Sequence, residues 1–227
     1  MFLPTILSLF ASLLLPVNIQ AAQAASSITA IAAGDRNTCV VIDGGVQCIG
    51  NNYDGQLGNG TKVSSATPVS PIAAGSGATS VSIRWGNACA VVAGGLKCWG
   101  HNDYGQLGNG TADDSLVPVD VFPAGSGVTG VSVGDSHACA VISGGLKCWG
   151  FNQMYQLGDG TDQNRNTPVT IFAEGSGVTA VAAGYAHTCA IISGGLQCWG
   201  GNYYGQVGDG TRVDRTSPVT VFTSDAG

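Results

Sequence analysis

Apolar and polar residues alternate along short segments of this chain, and the same segments return every 50 residues. In the third copy, residues 128–133 alternate, and two further apolar segments follow at 137–142 and 146–149, with Ser143-Gly144 between them. Alternation bounded by glycine turns predicts β-strands, and a two-residue turn predicts a hairpin. A fourth strand is predicted at 168–172, where an initial proline is tolerated because an edge strand needs fewer amide donors.

The repeat extends through almost all of the chain after its first two dozen residues. The predicted units are 28–77, 78–127, 128–177 and 178–227, all within a repeat domain that spans 25–227. A fixed period of tens of residues indicates a repeat architecture, whose units stack because none can bury its apolar face alone. Four strands per unit with glycine-rich turns predict an all-β propeller made of four-stranded blades. Such an architecture favours a binding scaffold over an enzyme.

Eight cysteines form four pairs, and the members of each pair are nine residues apart. The pairs are Cys39 with Cys48, Cys89 with Cys98, Cys139 with Cys148, and Cys189 with Cys198. Counting outward from the Ser143-Gly144 turn places the third pair at a non-hydrogen-bonded position, where α-carbons about 4.5 Å apart allow a disulfide. Zinc ligands usually have closer spacing, and even pairing leaves no lone thiol as a nucleophile. We therefore predict four disulfides within blades, no metal site and no catalytic cysteine.

Residues 1–24 have the features of a secretory signal peptide. An apolar stretch runs from Phe2 to Leu15, Pro16 ends it, and Ala22-Gln-Ala24 supplies small residues for cleavage after Ala24. A transmembrane anchor is the alternative, but the stretch is shorter than the about 20 residues that span a bilayer. Disulfides also persist outside the cytosol. We expect a secreted, periplasmic or cell-surface protein with no membrane span in the mature chain.

Composition and charge narrow the classes of partner. Only 10% of the residues are charged, the net charge is −6, and the eight basic residues are scattered. Binding to nucleic acid requires clustered Lys and Arg, so we predict no nucleic-acid partner. The acids fall at different repeat positions, which gives no catalytic set. The Gly125-x-Gly127-x-x-Gly130 pattern lacks a following helix, so no cofactor site is predicted. An extracellular hydrolase or lyase is the alternative class.

The repeat resembles that of a known family. The pattern G-x-x-H-x-x-A, then a glycine turn and W-G-x-N-x-x-G-Q-L-G-x-G, is similar to the regulator of chromosome condensation repeat over nearly all of residues 28–227. The resemblance implies a propeller that binds protein partners, and the family ring has seven blades. It also implies two alternatives, guanine-nucleotide exchange and enzyme inhibition. The paired cysteines look like a secreted bacterial-type variant of the repeat, and export conflicts with exchange on a cytosolic GTPase.

This chain departs from the family pattern at several positions. Ile49 stands in place of the repeated tryptophan, Asn37 and Asn87 in place of the histidine, and Arg84 and Tyr155 in place of glycines. Four units are present where the family ring has seven. A small four-bladed ring, a piece of a longer propeller, and an arc completed by self-association are the three alternatives.

The frame of the repeat is constant, whereas its loops vary. Exposed aromatic and methionine side chains are typical anchors of protein interfaces. The candidate partner-binding residues are therefore Trp85, Tyr104, Met154, Tyr185, Tyr203 and Tyr204. Free drift of unconstrained loops is the alternative explanation. We expect a recognition scaffold without catalytic activity that binds a protein or a cell-surface polymer.

Overall fold

The computed structural model describes residues 26–224, which form four antiparallel sheets of four strands each. The first two sheets contain β1 (Ile28–Ala33), β2 (Asn37–Ile42), β3 (Gly45–Gly50), β4 (Ser65–Ile72), β5 (Ala78–Arg84), β6 (Asn87–Val92), β7 (Gly95–Gly100) and β8 (Ser115–Phe122). The last two contain β9 (Val128–Val133), β10 (His137–Ile142), β11 (Gly145–Gly150), β12 (Arg165–Phe172), β13 (Val178–Ala183), β14 (His187–Ile192), β15 (Gly195–Gly200) and β16 (Arg215–Phe222). Strands follow chain order within every sheet, so each unit is one propeller blade, as predicted. The predicted signal peptide lies outside the described residues.

The hairpin at the centre of each blade has the predicted register. In the third blade Ile142 pairs with Gly145 and Cys139 with Cys148. Ser143 and Gly144 have φ angles of 48° and 72°, and a two-residue turn with two positive φ angles matches the right-handed twist of its strands. The outer strand β12 begins at Arg165, three residues before the predicted start. Its proline lies inside the strand, where β12 is the outer edge of the described sheet and an edge strand tolerates the missing amide.

The predicted disulfides are confirmed within the blades. Each bridge joins the two strands of one hairpin, and the α-carbons of its cysteines lie 4.0–4.1 Å apart. The four bridges are those predicted, namely Cys39 to Cys48, Cys89 to Cys98, Cys139 to Cys148, and Cys189 to Cys198. Each bridge closes a ten-residue loop, for which the chain-entropy model gives roughly 2–3 kcal/mol of stabilisation. Such bonds form and persist in oxidising compartments.

The second cysteine of every pair is buried. Cys48, Cys98 and Cys148 are completely inaccessible to solvent, and Cys198 in the last blade is 2% exposed. In the first three blades, both cysteines of the bridge pack within the core shared with the next blade. The bridges therefore contribute apolar surface to the joints between blades as well as closing the hairpins.

Three hydrophobic cores lie between neighbouring blades. Each uses the cysteine face of one blade and the alanine face of the next, because successive side chains of a strand point to opposite faces. The core between the second and third blades includes Cys89, Val91, Leu96 and Leu107 from one side and Ala138, Ala140, Ile142 and Trp149 from the other. Small alanines on one face leave room for the bulky indole, which holds the two blades together.

The repeated tryptophan links each blade to the loop of the blade before it. Trp149 is fully buried, and its Nε1–H donates to the carbonyl oxygen of Gln106 at 3.0 Å. Gly108 has φ of 71°, and a Cβ there would lie 2.6 Å from the indole nitrogen. Trp149 therefore belongs to the constant frame of the repeat. Ile49, at the same position in the first blade, is 37% exposed.

The repeated asparagine after each third strand holds the following loop. In the third blade Asn152 Oδ1 accepts the Leu157 amide at 2.9 Å, and its Nδ2 donates to the Thr161 carbonyl at 2.8 Å. The side chain of Asp159 accepts from the amide and the hydroxyl of Thr161. Asn59 and Asn109 make the same bonds in the first two blades and therefore act as turn residues there.

The innermost strands contact one another in the series β1, β5, β9 and β13, so the described blades form an arc. Its first face exposes Ile28 and Ile31, which are 62% and 71% accessible, and its last face exposes Ile191 and Phe222. Their counterparts inside the arc are covered by the neighbouring blade. No helix among residues 26–224 is long and apolar enough to cross a membrane.

Candidate recognition groove

A groove of about 520 Å³ crosses the second, third and fourth blades. It lies where the turns between first and second strands meet the loops that follow third strands. Its apolar walls are Trp85 and Tyr104 from the second blade, Phe151 and Met154 from the third, and Tyr185 from the fourth. Polar groups of the third blade also line it. Three successive repeats thus build one concave surface from positions at which their sequences differ.

Four of the six candidate residues come together in this groove. Trp85, Tyr104, Met154 and Tyr185 all line it, and all four are exposed. The other two do not line it. Tyr203 and Tyr204, on the fourth blade, pack edge to face with ring centroids 4.8 Å apart. The structure therefore divides the aromatic candidates into a groove set and a separate pair.

The position of Trp85 follows from a local change in the repeat. Arg84 replaces a glycine and extends β5, so that Trp85-Gly86 alone forms the turn to β6. Trp85 has φ of 43°, in a region that bulky residues rarely occupy. Backbone strain of this kind is typically retained at functional sites. The indole stays 48% exposed and meets the His101 ring edge to face at 5.5 Å.

The side chain of His101 has partners on both ring nitrogens. Its Nδ1 accepts from Gln106 Nε2 at 2.6 Å, which leaves Nε2 to carry the proton, and Nε2 lies 3.1 Å from the carboxylate of Asp103. Asp114 is close enough to form a three-ligand cluster with these two residues. Its carboxylate, however, already accepts from the Asn102 amide and from Lys62. The cluster is thus held by protein partners, and the absence of a metal site stays a prediction.

Gln156 carries an unused hydrogen-bond donor at the groove. The side chain is fully buried and lines the groove, and its Nε2 has no partner among the described residues. In the first blade, Gln56 Nε2 donates to Asn51 Oδ1 at 2.8 Å. The third blade has Phe151 where an acceptor stands in the first two blades. Phe151 occupies a variable position of the repeat, and aligning it with Asn51 and His101 predicts from sequence that this bond is missing.

Asp135 supplies a second polar group without a partner in the described part of the chain. It is partly buried at the groove, and within residues 26–224 its side chain makes no hydrogen bond or ion pair. Burial raises the pKa of Asp135, the positive field of Arg84 opposes this, and Asp35 adds to it. Arg84 does not line the groove. A partly desolvated anion therefore faces a concave surface whose described walls carry no cation.

The two repeated histidines belong to the frame. His137 is fully buried, with Nε2 2.9 Å from the Thr188 hydroxyl, and burial lowers its pKa to about 3. His187 is less buried, and burial together with the field of Arg84 lowers its pKa. A histidine with so low a pKa as His137 stays neutral near pH 7 and holds two blades together. His137 therefore has a structural role in the joint between the third and fourth blades.

Comparisons with known proteins give the family. The model described as "Regulator of chromosome condensation (RCC1) repeat" matches residues 93–141 and 143–191, and a second model of that description matches 178–206. A search of curated proteins found no match.

Solved structures share the fold. Human WBSCR16 is 24% identical over 86% of this chain and 52% of its own, with a TM-score of 0.75. Prp20p from Saccharomyces cerevisiae is 20% identical over 89% of this chain and 52% of its own, with a TM-score of 0.74. The chain thus spans about half the length of these proteins. Both repeat models of this description match consecutive segments of the chain, and the chain belongs to the family of proteins built from regulator of chromosome condensation repeats.

Proposed function

We propose that this protein is an exported recognition scaffold without catalytic activity, and that it binds a protein partner through the groove of the second to fourth blades. The observation that carries the proposal is the groove itself. Five aromatic or methionine side chains from three blades surround a polar floor, whereas the frame tryptophans are fully buried. Aromatic anchors around a concave centre are typical of the residues that dominate binding energy at protein interfaces.

Two further observations support the proposed export and the proposed lack of catalytic activity. Four disulfides are suited to an oxidising compartment outside the cytosol. The two carboxylates of the groove differ in their partners, because Asp103 lies 3.1 Å from the His101 ring whereas Asp135 makes no ion pair within residues 26–224. Hydrolysis by paired carboxylates needs both groups to converge on one bond. N-terminal sequencing of the exported protein should find a mature chain that begins near Ala25.

A protein partner also agrees with one of the structures of similar fold. Prp20p is described by its binding properties to Gsp1p and histones, which are proteins. A cell-surface polymer is the alternative class of partner for the groove. The identity of the partner follows from the experiment below.

Affinity capture with paired variants tests the groove. The immobilised protein is incubated with the secreted proteins of its own environment, and bound proteins are quantified by mass spectrometry. The Trp85→Ala/Tyr185→Ala variant should capture at least tenfold less of one partner, because each change removes an interface anchor. The Tyr203→Ala/Tyr204→Ala variant removes similar exposed aromatic surface outside the groove and should retain that partner. Equal capture by all three proteins would place recognition elsewhere.

We also propose that a second copy of this chain covers the end faces of the arc. The exposed face of the first blade corresponds to one side of the three joints between blades, and the exposed face of the last blade corresponds to the other side. His187 on the last blade and Thr38 on the first occupy the positions of His137 and Thr188, which bond across the third joint at 2.9 Å. Light scattering after size exclusion should detect a dimer that Ile191→Asp abolishes. A wild-type monomer at every concentration would refute this proposal.

A further inference from the structure

The unpartnered groups of the groove indicate the chemistry of the ligand. Within the described residues, the Asp135 side chain makes no hydrogen bond or ion pair, although the field of Arg84 reaches it, and the buried Gln156 Nε2 has no acceptor. A ligand that satisfies both must bring a positive charge and a carbonyl or hydroxyl oxygen. Buried polar groups are nearly always hydrogen-bonded, so an orphaned donor at a concave surface is a specific demand on what binds there.

The walls of the groove also favour a positively charged ligand. Trp85, Tyr104, Phe151 and Tyr185 are aromatic, and none of the described lining residues is Lys or Arg. Cations bind to the faces of aromatic rings, and a guanidinium also stacks on them and pairs with a carboxylate through two parallel N–H bonds. The net charge of −6 attracts a basic partner in addition. An acidic ligand would be repelled by Asp103 and Asp135, which both line the groove.

We propose that the groove binds an arginine side chain of an extended protein segment, with its guanidinium on Asp135 between aromatic walls and a main-chain carbonyl on Gln156 Nε2. This inference rests on the proposed function, since it names the part of the protein partner that the groove recognises. A saccharide would also supply hydroxyl oxygens and stack on aromatic rings. It carries no charge to compensate the partly buried carboxylate, and the arginine is therefore favoured.

The tryptophan indole resonances provide a direct assay. The chain has four tryptophans, of which Trp99, Trp149 and Trp199 are fully buried and Trp85 is exposed. Nα-acetyl-arginine amide is titrated into ¹⁵N-labelled protein, and the indole N–H signals are followed by NMR. The signal of Trp85 should shift in a saturable way while the three buried signals stay in place. Nα-acetyl-citrulline amide has the same shape without the charge and should bind at least tenfold more weakly.

Three variants test the two contacts. Asp135→Asn should reduce arginine affinity at least tenfold, to the level of citrulline. Asp113→Asn removes an exposed acid that does not line the groove and should leave the affinity unchanged. Phe151→His keeps an aromatic ring but gives Gln156 the acceptor that His101 gives Gln106, so the affinity should fall at least threefold. The three buried indole signals report whether each variant remains folded.

The outcomes separate this inference from the proposed function. Equal binding of arginine and citrulline, or a response to methyl glycosides and not to arginine, overturns the inference. If arginine fails to bind but capture of a protein still depends on Trp85, the recognition function stands and the inference falls. If arginine binds as predicted but no captured partner depends on the groove, the ligand class stands and the proposed function falls.

Discussion

Replacing Trp149 with alanine should destabilise the protein more than any change in the groove. The side chain is fully buried between the second and third blades and donates to the Gln106 carbonyl at 3.0 Å. Truncating a buried tryptophan to alanine costs about 3–5 kcal/mol, and leaving the carbonyl unpaired adds about 1 kcal/mol. We therefore expect a loss of about 4–6 kcal/mol in the free energy of unfolding.

Urea unfolding followed by circular dichroism measures this loss, with the disulfides kept intact. For a chain of this size the change corresponds to a fall of about 8–24 °C in the thermal midpoint. Trp149→Phe retains part of the ring but not the donor, and should cost about 1–2 kcal/mol. Trp85→Ala removes a half-exposed indole and should cost less than about 1 kcal/mol. If Trp149→Ala is silent while Trp85→Ala unfolds the protein, the assignment of frame and groove is inverted.

Three further predictions concern particular residues. Phe151→His supplies an acceptor for Gln156 and should raise the unfolding free energy by about 1 kcal/mol, whereas Phe151→Leu should not, as urea titrations would measure. His137 is neutral when folded, with a pKa of about 3 against 6.5 when unfolded, so stability should fall by about 1.4 kcal/mol per pH unit as the pH drops below 6.5. His137→Asn should flatten that slope in unfolding measured between pH 7 and pH 4.5, and an unchanged slope would contradict the assignment. Tyr155 has φ of 58° where the other copies have glycine. Tyr155→Gly should therefore raise the free energy of unfolding by about 1 kcal/mol, measured as a higher thermal midpoint.

The blades could be predicted from sequence because local rules determine them. The two-residue turn set the strand register, the register set the facing positions of Cys139 and Cys148, and alternation set the two faces of each strand. Each rule acts within ten or fifteen residues. Because the sequence repeats, the register predicted for one hairpin applies to all four.

The groove could be predicted only in part, because it depends on contacts between blades. The sequence identified the variable aromatic residues Trp85, Tyr104 and Tyr185. No local rule indicated that these three line one groove or that Tyr203 and Tyr204 lie outside it. Predicting the unpaired Gln156 amide requires comparing each repeated glutamine with the residue five positions before it, which is Phe151 in the third copy and His101 in the second. The unpaired carboxylate of Asp135 required knowledge of which side chains surround it in space.

Photo-crosslinking at two tyrosines tests the central claim most directly. A benzoylphenylalanine is placed at Tyr185, which lines the groove, or at Tyr204, which is more exposed but does not line it. After irradiation with the captured partner, the crosslinked product is quantified from each variant. A groove that recognises the partner predicts a strong crosslink from position 185 and little from position 204. Crosslinking from position 204 alone, or equally from both, would contradict the assignment of this groove as the recognition site.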